Sequence, residues 1–172
     1  MANIVEGYTI REVTNEKFTH FAEINVNADT IWDLFVSLSN TLFADVAYGI
    51  IGSKGEEPIL SNFTQKQKVF DIFQKYKFEL SNDGYLLFGM AHYDDSSLNE
   101  IYITNYKYFK VWTTNERGLR EVLANFGLLE KKDLSFIDGF PVVSKALTRD
   151  EIKGLRDHSQ VLNEIGKEFD DL

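Results

Sequence analysis

The chain has 172 residues, 44% of them hydrophobic and 14% aromatic, which is ample for one core without a metal or disulfide staple. Lys and Arg total 18 against 27 Asp and Glu, and the resulting charge of −9 argues against bare nucleic acid, whose phosphates require clustered cations. Cysteine is absent, so disulfides, thiolate metal sites and cysteine nucleophiles are excluded.

In chain order, Phe18–Val26 reads as a strand. Ile31, Leu34, Phe35, Leu38 and Leu42 then recur at helical spacing, with Asp29 or Thr30 available as a cap. Val46–Ile51 is a second strand, and the segment from Gly52 to Pro58 reads as a loop. Thr64 with Gln67 forms a capping-box pattern ahead of Val69, Phe70, Phe73 and Tyr76. Tyr85–Tyr93 and Ile101–Thr113 are strands on either side of an Asp94–Glu100 connection. Asn115 opens a helix that Gly127 stops. Leu134–Phe136 and Phe140–Ala146 complete the strands around an Asp138-Gly139 turn, and a second capping box, Thr148 with Glu151, starts a final helix through Phe169. The order β-α-β-α-β-β-α-β-(β)-α predicts a single α+β domain over 1–172. Its sheet is mixed or mainly antiparallel, about four amphipathic helices lie mostly on one face, and flexible ends are expected at 1–6 and 168–172.

The stretch Phe21–Leu34 resembles the first strand and helix of helix-grip lipid-binding domains over about 14 residues. A helix around Val69–Tyr76 interrupts the continuous run of strands that such a domain needs, and the chain is not assigned to that family. The apolar runs, such as Tyr85–Ala91, fall far below the roughly 18 residues of a membrane span. No basic stretch followed by an apolar one opens the chain, and a cytoplasmic protein with no membrane partner is expected.

Catalytic signatures are weak. No Gly-x-Ser-x-Gly elbow occurs, and Gly49–Gly55 lacks the spacing of a phosphate loop. His20 reads as a structural strand residue and His158 as a solvated helix residue. His92 precedes Tyr93, Asp94 and Asp95, but Asp and Ser are ordinary turn formers, so neither a metal nor a cofactor is expected.

Ile101–Thr113 departs from the ordinary. Read as one strand, it sends Tyr102, Tyr106, Tyr108 and Trp112 to the face opposite Ile101 and Phe109. With Asp94, Asp95 and Glu100 as an acidic rim, these residues form the expected binding surface for a basic protein. The leading expectation is therefore a non-enzymatic acidic protein-binding module, most concretely an immunity-type protein that neutralises a bacterial toxin domain. The alternative is a small-molecule-binding or metal-assisted enzyme with a pocket between sheet and helices, using His92, Asp94 and Glu100.

Overall fold

Alternation of side chains along the strands decides which side of this sheet is covered. A computed structural model describes residues 4–148 and 152–172. The strands are β1 (Gly7–Glu12), β2 (His20–Asn25), β3 (Val46–Ser53), β4 (Ile59–Leu60), β5 (Thr64–Gln65), β6 (Leu86–Tyr93), β7 (Leu98–Ile103) and β8 (Phe109–Thr113). They pair in the order β1-β2-β8-β7-β6-β3-β4, with β5 on β3, and every ladder between them is antiparallel. The helices are α1 (Ala28–Leu42), α2 (Lys66–Gln74), α3 (Lys77–Asn82), α4 (Glu116–Asn125) and α5 (His158–Asp170). The architecture is a single α+β domain.

One parity of strand residues is sealed from water: Ala22 and Ile24, Phe88 and Met90, Ile101 and Ile103, Phe109 and Val111. The long helices pack on this side. Phe88 meets the rings of Phe35 in α1 at 5.1 Å and Phe73 in α2 at 5.6 Å. Phe169 of α5 stacks on Phe73 at 5.8 Å and lies over Gly49, where an added Cβ would come within 2.7 Å of its ring. Helix α4 adds Leu119, Val122 and Leu123 beside α1. It ends as expected at Gly127 (φ 71°), with Gly127 N–H on the Ala124 carbonyl and Leu128 N–H on that of Leu123, the paired bonds of a Schellman cap.

Several expected elements differ. Ile101–Thr113 is a hairpin rather than one strand, because Lys107 adopts a left-handed φ of 64° and its N–H closes a turn onto Thr104. Leu134–Phe136 and Phe140–Ala146 are not strands; apart from a 3-10 turn at Ile137–Gly139, they form an irregular strap across one end of the sheet. The final helix starts at His158, since Gly154 (φ 81°) breaks the run and Asp157 caps the start by accepting from Gln160 N–H. Glu151 of the expected capping box lies outside the described residues. The Thr64–Gln67 box makes no side-chain cap, and α1 begins after Asn27 without one. The C-terminal residues are not a tail: α5 runs to Asp170 and Phe169 is 2% exposed. Of the N-terminal segment, residues 1–3 lie outside the described residues.

The strap is held by side chains from the loops it crosses. Asn25 donates to the Ser135 carbonyl, Tyr108 to Asp138, and Asn105 to Ser144, while Asp83 accepts from Leu147 N–H. Its far end is fixed where Arg156 pairs with the buried Glu79 at 3.1 Å and lies 4.4 Å over the Tyr76 ring. Beneath this corner, Lys107 donates its ammonium to the carbonyls of Leu80 (2.9 Å) and Leu86 (2.6 Å), tying the β7–β8 turn to α3 and β6.

Two predictions follow from this packing. An added Cβ at Gly89 would lie 2.2 Å from the Ile101 carbonyl oxygen and 3.1 Å from Tyr102 Cα, both backbone atoms of β7. Gly89→Ala must therefore part β6 from β7, and chemical denaturation should show a loss of about 1–3 kcal/mol. Burial lowers the Lys107 pKa to about 7, against an opposing pull from the Asp83 carboxylate. From about pH 7 toward pH 10 the unfolded chain holds a proton at this lysine that the native chain has lost, so stability rises with pH across that window. Lys107→Met should be less stable than the parent, and its stability–pH curve should lack that rise.

Candidate functional site

The second parity of strand residues faces away from the long helices. Across the sheet, Tyr48 of β3 stands opposite Ala91 of β6, Ala91 opposite Glu100 of β7, Glu100 opposite Trp112 of β8, and Trp112 opposite Phe21 of β2. One row on, Ile50, Gly89, Tyr102, Lys110 and Glu23 follow in the same register. β6 contributes only small groups here, and Gly89 and Ala91 are buried beneath their larger neighbours. The result is a half-exposed aromatic surface with one carboxylate near its middle.

Two ring clusters flank that carboxylate. Phe21 and Trp112 pack at 5.2 Å, with the Arg11 guanidinium 5.1 Å over the Phe21 ring. On the other side Tyr48, Phe63 and Tyr93 form a triad with centroid separations of 5.2, 5.3 and 5.9 Å. Tyr93 is 51% and Phe63 43% exposed. With Leu60, Ser61 and Asn62 this triad lines a cavity of about 200 Å³.

The electrostatics single out Glu100. Among the described residues its carboxylate has neither a hydrogen bond nor an ion pair, and burial raises its pKa. Tyr48 and Tyr102 are also raised, first by burial and then by the negative charge of Glu100. Asp94 behaves in the opposite way. It accepts from Ser96 N–H and Ser97 N–H, both at 2.8 Å, and from the Ser96 hydroxyl at 3.1 Å, and the Ser96 backbone bond leads in lowering it to about 2. That makes it a turn former.

The expected site is thus divided. Tyr102, Glu100 and Trp112 share the open face, and Asp94 and Asp95 lie exposed in the turn at one end of it. Tyr106 sits in the β7–β8 turn at the other end, beside the cavity that Lys107 and Ile137 help to line. Tyr108 is not available to a partner: it is 4% exposed, stacked on Phe136 at 4.8 Å and bonded to Asp138. It keeps the parity of Lys110 and Trp112, with Lys110 Nζ 5.8 Å over its ring, and it is the strap, not a change of face, that covers it. Glu116, an acid near the same stretch, points instead to His20 at 3.1 Å and Arg120 at 2.9 Å on the helix side.

His92, Asp94 and Glu100 do not converge, because His92 has the parity of Met90 and engages the Val46 carbonyl at 2.8 Å. Sequence reasoning missed Tyr48, Phe63, Tyr93 and Phe21. The alternation Leu87, Gly89, Ala91, Tyr93 was a signal for Tyr93, but Phe63 reaches the site from a loop that carries no such pattern.

The fold and face define an α+β protein with a one-sided antiparallel sheet whose free side is aromatic and acidic. Comparison of the chain with family models, with curated proteins and with solved structures finds no match to any of them. No helix among the described residues is long and apolar enough to cross a membrane.

Ionised Glu100 is disfavoured on this surface, so its contribution has a definite sign. An acid with a raised native pKa costs stability above its unfolded value of 4.5, and the cost disappears as pH falls below that value. Glu100→Gln should therefore stabilise the protein at pH 7, by less than about 1 kcal/mol given solvent screening. The gain should vanish at pH 3.5–4, as urea melts at the two pH values would report.

Proposed function

We propose that the protein is a non-enzymatic binding module whose open sheet face docks a basic protein. The observation that carries this reading is the unpaired, half-buried Glu100 among Tyr48, Tyr102 and Trp112. A carboxylate that the free protein leaves without a cation is satisfied when a partner's Lys or Arg reaches it, and its burial among rings strengthens that contact. Trp and Tyr supply the kind of half-buried anchors that concentrate binding energy. The charge of −9 raises the encounter rate with a positive surface. An immunity-type protein, which covers the basic active surface of a toxin domain, is the most concrete form of this activity.

Co-purification from the native cell tests the proposal. Wild type should recover a basic protein at stoichiometric level, Trp112→Ala and Glu100→Gln should lose it, and Arg117→Ala should retain it, since Arg117 lies on α4 paired with Glu121. Recovery of chaperones alone, or recovery that neither open-face variant affects, overturns the proposal.

A further inference from the structure

The cavity lined by Tyr48, Phe63 and Tyr93 has a chemistry more specific than a sticky patch. Tyr48, Phe63 and Tyr93 meet edge to face, with interplanar angles of 83°, 75° and 66°, so their rings present differently oriented faces and edges around one corner. Ring faces carry the negative end of the aromatic quadrupole and attract cations. Glu100 stands two strands from Tyr48 in the same row, roughly 10 Å away at the backbone. The side chain of Asn62 at the rim adds an exposed amide.

The same protein shows what satisfies this arrangement. Arg156 lies over Tyr76 with its Cζ 4.4 Å from the ring centroid while its Nε donates to Glu79, and Arg11 lies over Phe21. In both places the planar cation covers a ring, and in the first it also pairs with a carboxylate. The Tyr48–Phe63–Tyr93 corner has the rings, with Glu100 across Ala91 in the same row rather than in its lining, and no arginine of its own among the described residues.

We infer that the Tyr48, Phe63 and Tyr93 cavity is the seat for an arginine side chain of the protein partner, with Glu100 as its counter-charge. This inference rests on the docking reading above and names the group that the partner inserts. Arginine is favoured over lysine because a planar, weakly hydrated guanidinium stacks on rings and still leaves its edge donors free for Glu100 and Asn62. A cavity of about 200 Å³ has room for one such head group and not for a folded segment.

The test titrates the full chain with N-acetylarginine methylamide and with the uncharged citrulline analogue, following the tyrosine and phenylalanine ring signals by NMR. The arginine probe should saturate with a dissociation constant on the order of 1–10 mM and shift the rings of Tyr48, Phe63 and Tyr93. Citrulline, Tyr93→Leu and Glu100→Gln should each weaken it by about two- to fivefold, the range of a solvent-accessible cation–ring or charge contact. Arg117→Ala, on α4 away from this face, should leave it unchanged. Equal binding of the citrulline probe, or no saturation at roughly 50 mM, overturns the inference. Loss of the native partner on Trp112→Ala but not on Tyr93→Leu would also overturn it, while leaving the docking face itself intact.

Discussion

Phe88, wedged between Phe35 of α1 and Phe73 of α2, is the contact on which the rest of this protein depends. It is fully buried, and so are the two rings it touches. Burying three phenylalanines at one point removes several hundred Å² of apolar surface from water, at roughly 25 cal/mol per Å². That contact commits α1 and α2 to one side of β6, and Phe169 brings α5 to the same side through Phe73. Since neighbouring residues of a strand point to opposite faces, seating Phe88 and Met90 against the helices turns Leu87, Gly89, Ala91 and Tyr93 the other way. Among the described residues no further long helix covers them. The open face is thus the geometric complement of the core.

How far this was legible in the sequence depends on the range of the forces involved. The amphipathic runs around Leu34, Phe70 and Leu119 declare their helices because apolar periodicity and burial agree locally. The Gly127 stop was legible for the same reason, as a left-handed residue placed directly after the last apolar one. The strap could not be read in this way. Leu134–Ala146 has strand-like composition, but its backbone and side-chain partners are loops at the ends of other strands: Asn25, Gly84, Asn105 and Asp83. Those contacts exist only after the sheet has formed.

The hairpin at Lys107 is the more instructive case. No Gly, Asn-Gly or Asp-Gly marks the turn, and Lys107 takes the left-handed conformation at a cost that a glycine would not bear. Its ammonium meets two main-chain carbonyls that nothing in the local sequence announces. A tertiary contact overrides a local preference and the strand is cut in two, while Tyr108 keeps the side of Lys110 and Trp112 and is covered there by Phe136 and Asp138 of the strap. Alternation assigns Tyr102, Tyr108 and Trp112 to the same side, and only Tyr108 is lost to a partner, because the strap lies over it. Tyr48 and Phe63 join them only through cross-strand register and loop closure, which no single segment encodes.

Asp94 and Glu100 lie six positions apart on one hairpin, and composition treats them alike. Asp94 receives three donors from its own turn and is held ionised, as a group whose charge the fold already uses. The Glu100 carboxylate receives none among the described residues, stands between Ala91 and Trp112 in the sheet, and has its charge disfavoured by burial. A chain selected for stability alone would place Gln or Leu at that point of the sheet, since either removes the penalty without disturbing the ladder. Keeping a carboxylate there is consistent with a use outside the isolated fold, and a cation brought by another molecule is what turns the penalty into affinity. The acidity that matters is therefore local. On the proposed reading, the bulk charge of −9 would influence how a partner approaches, and the carboxylate that the fold leaves without a cation would set which side chain it brings.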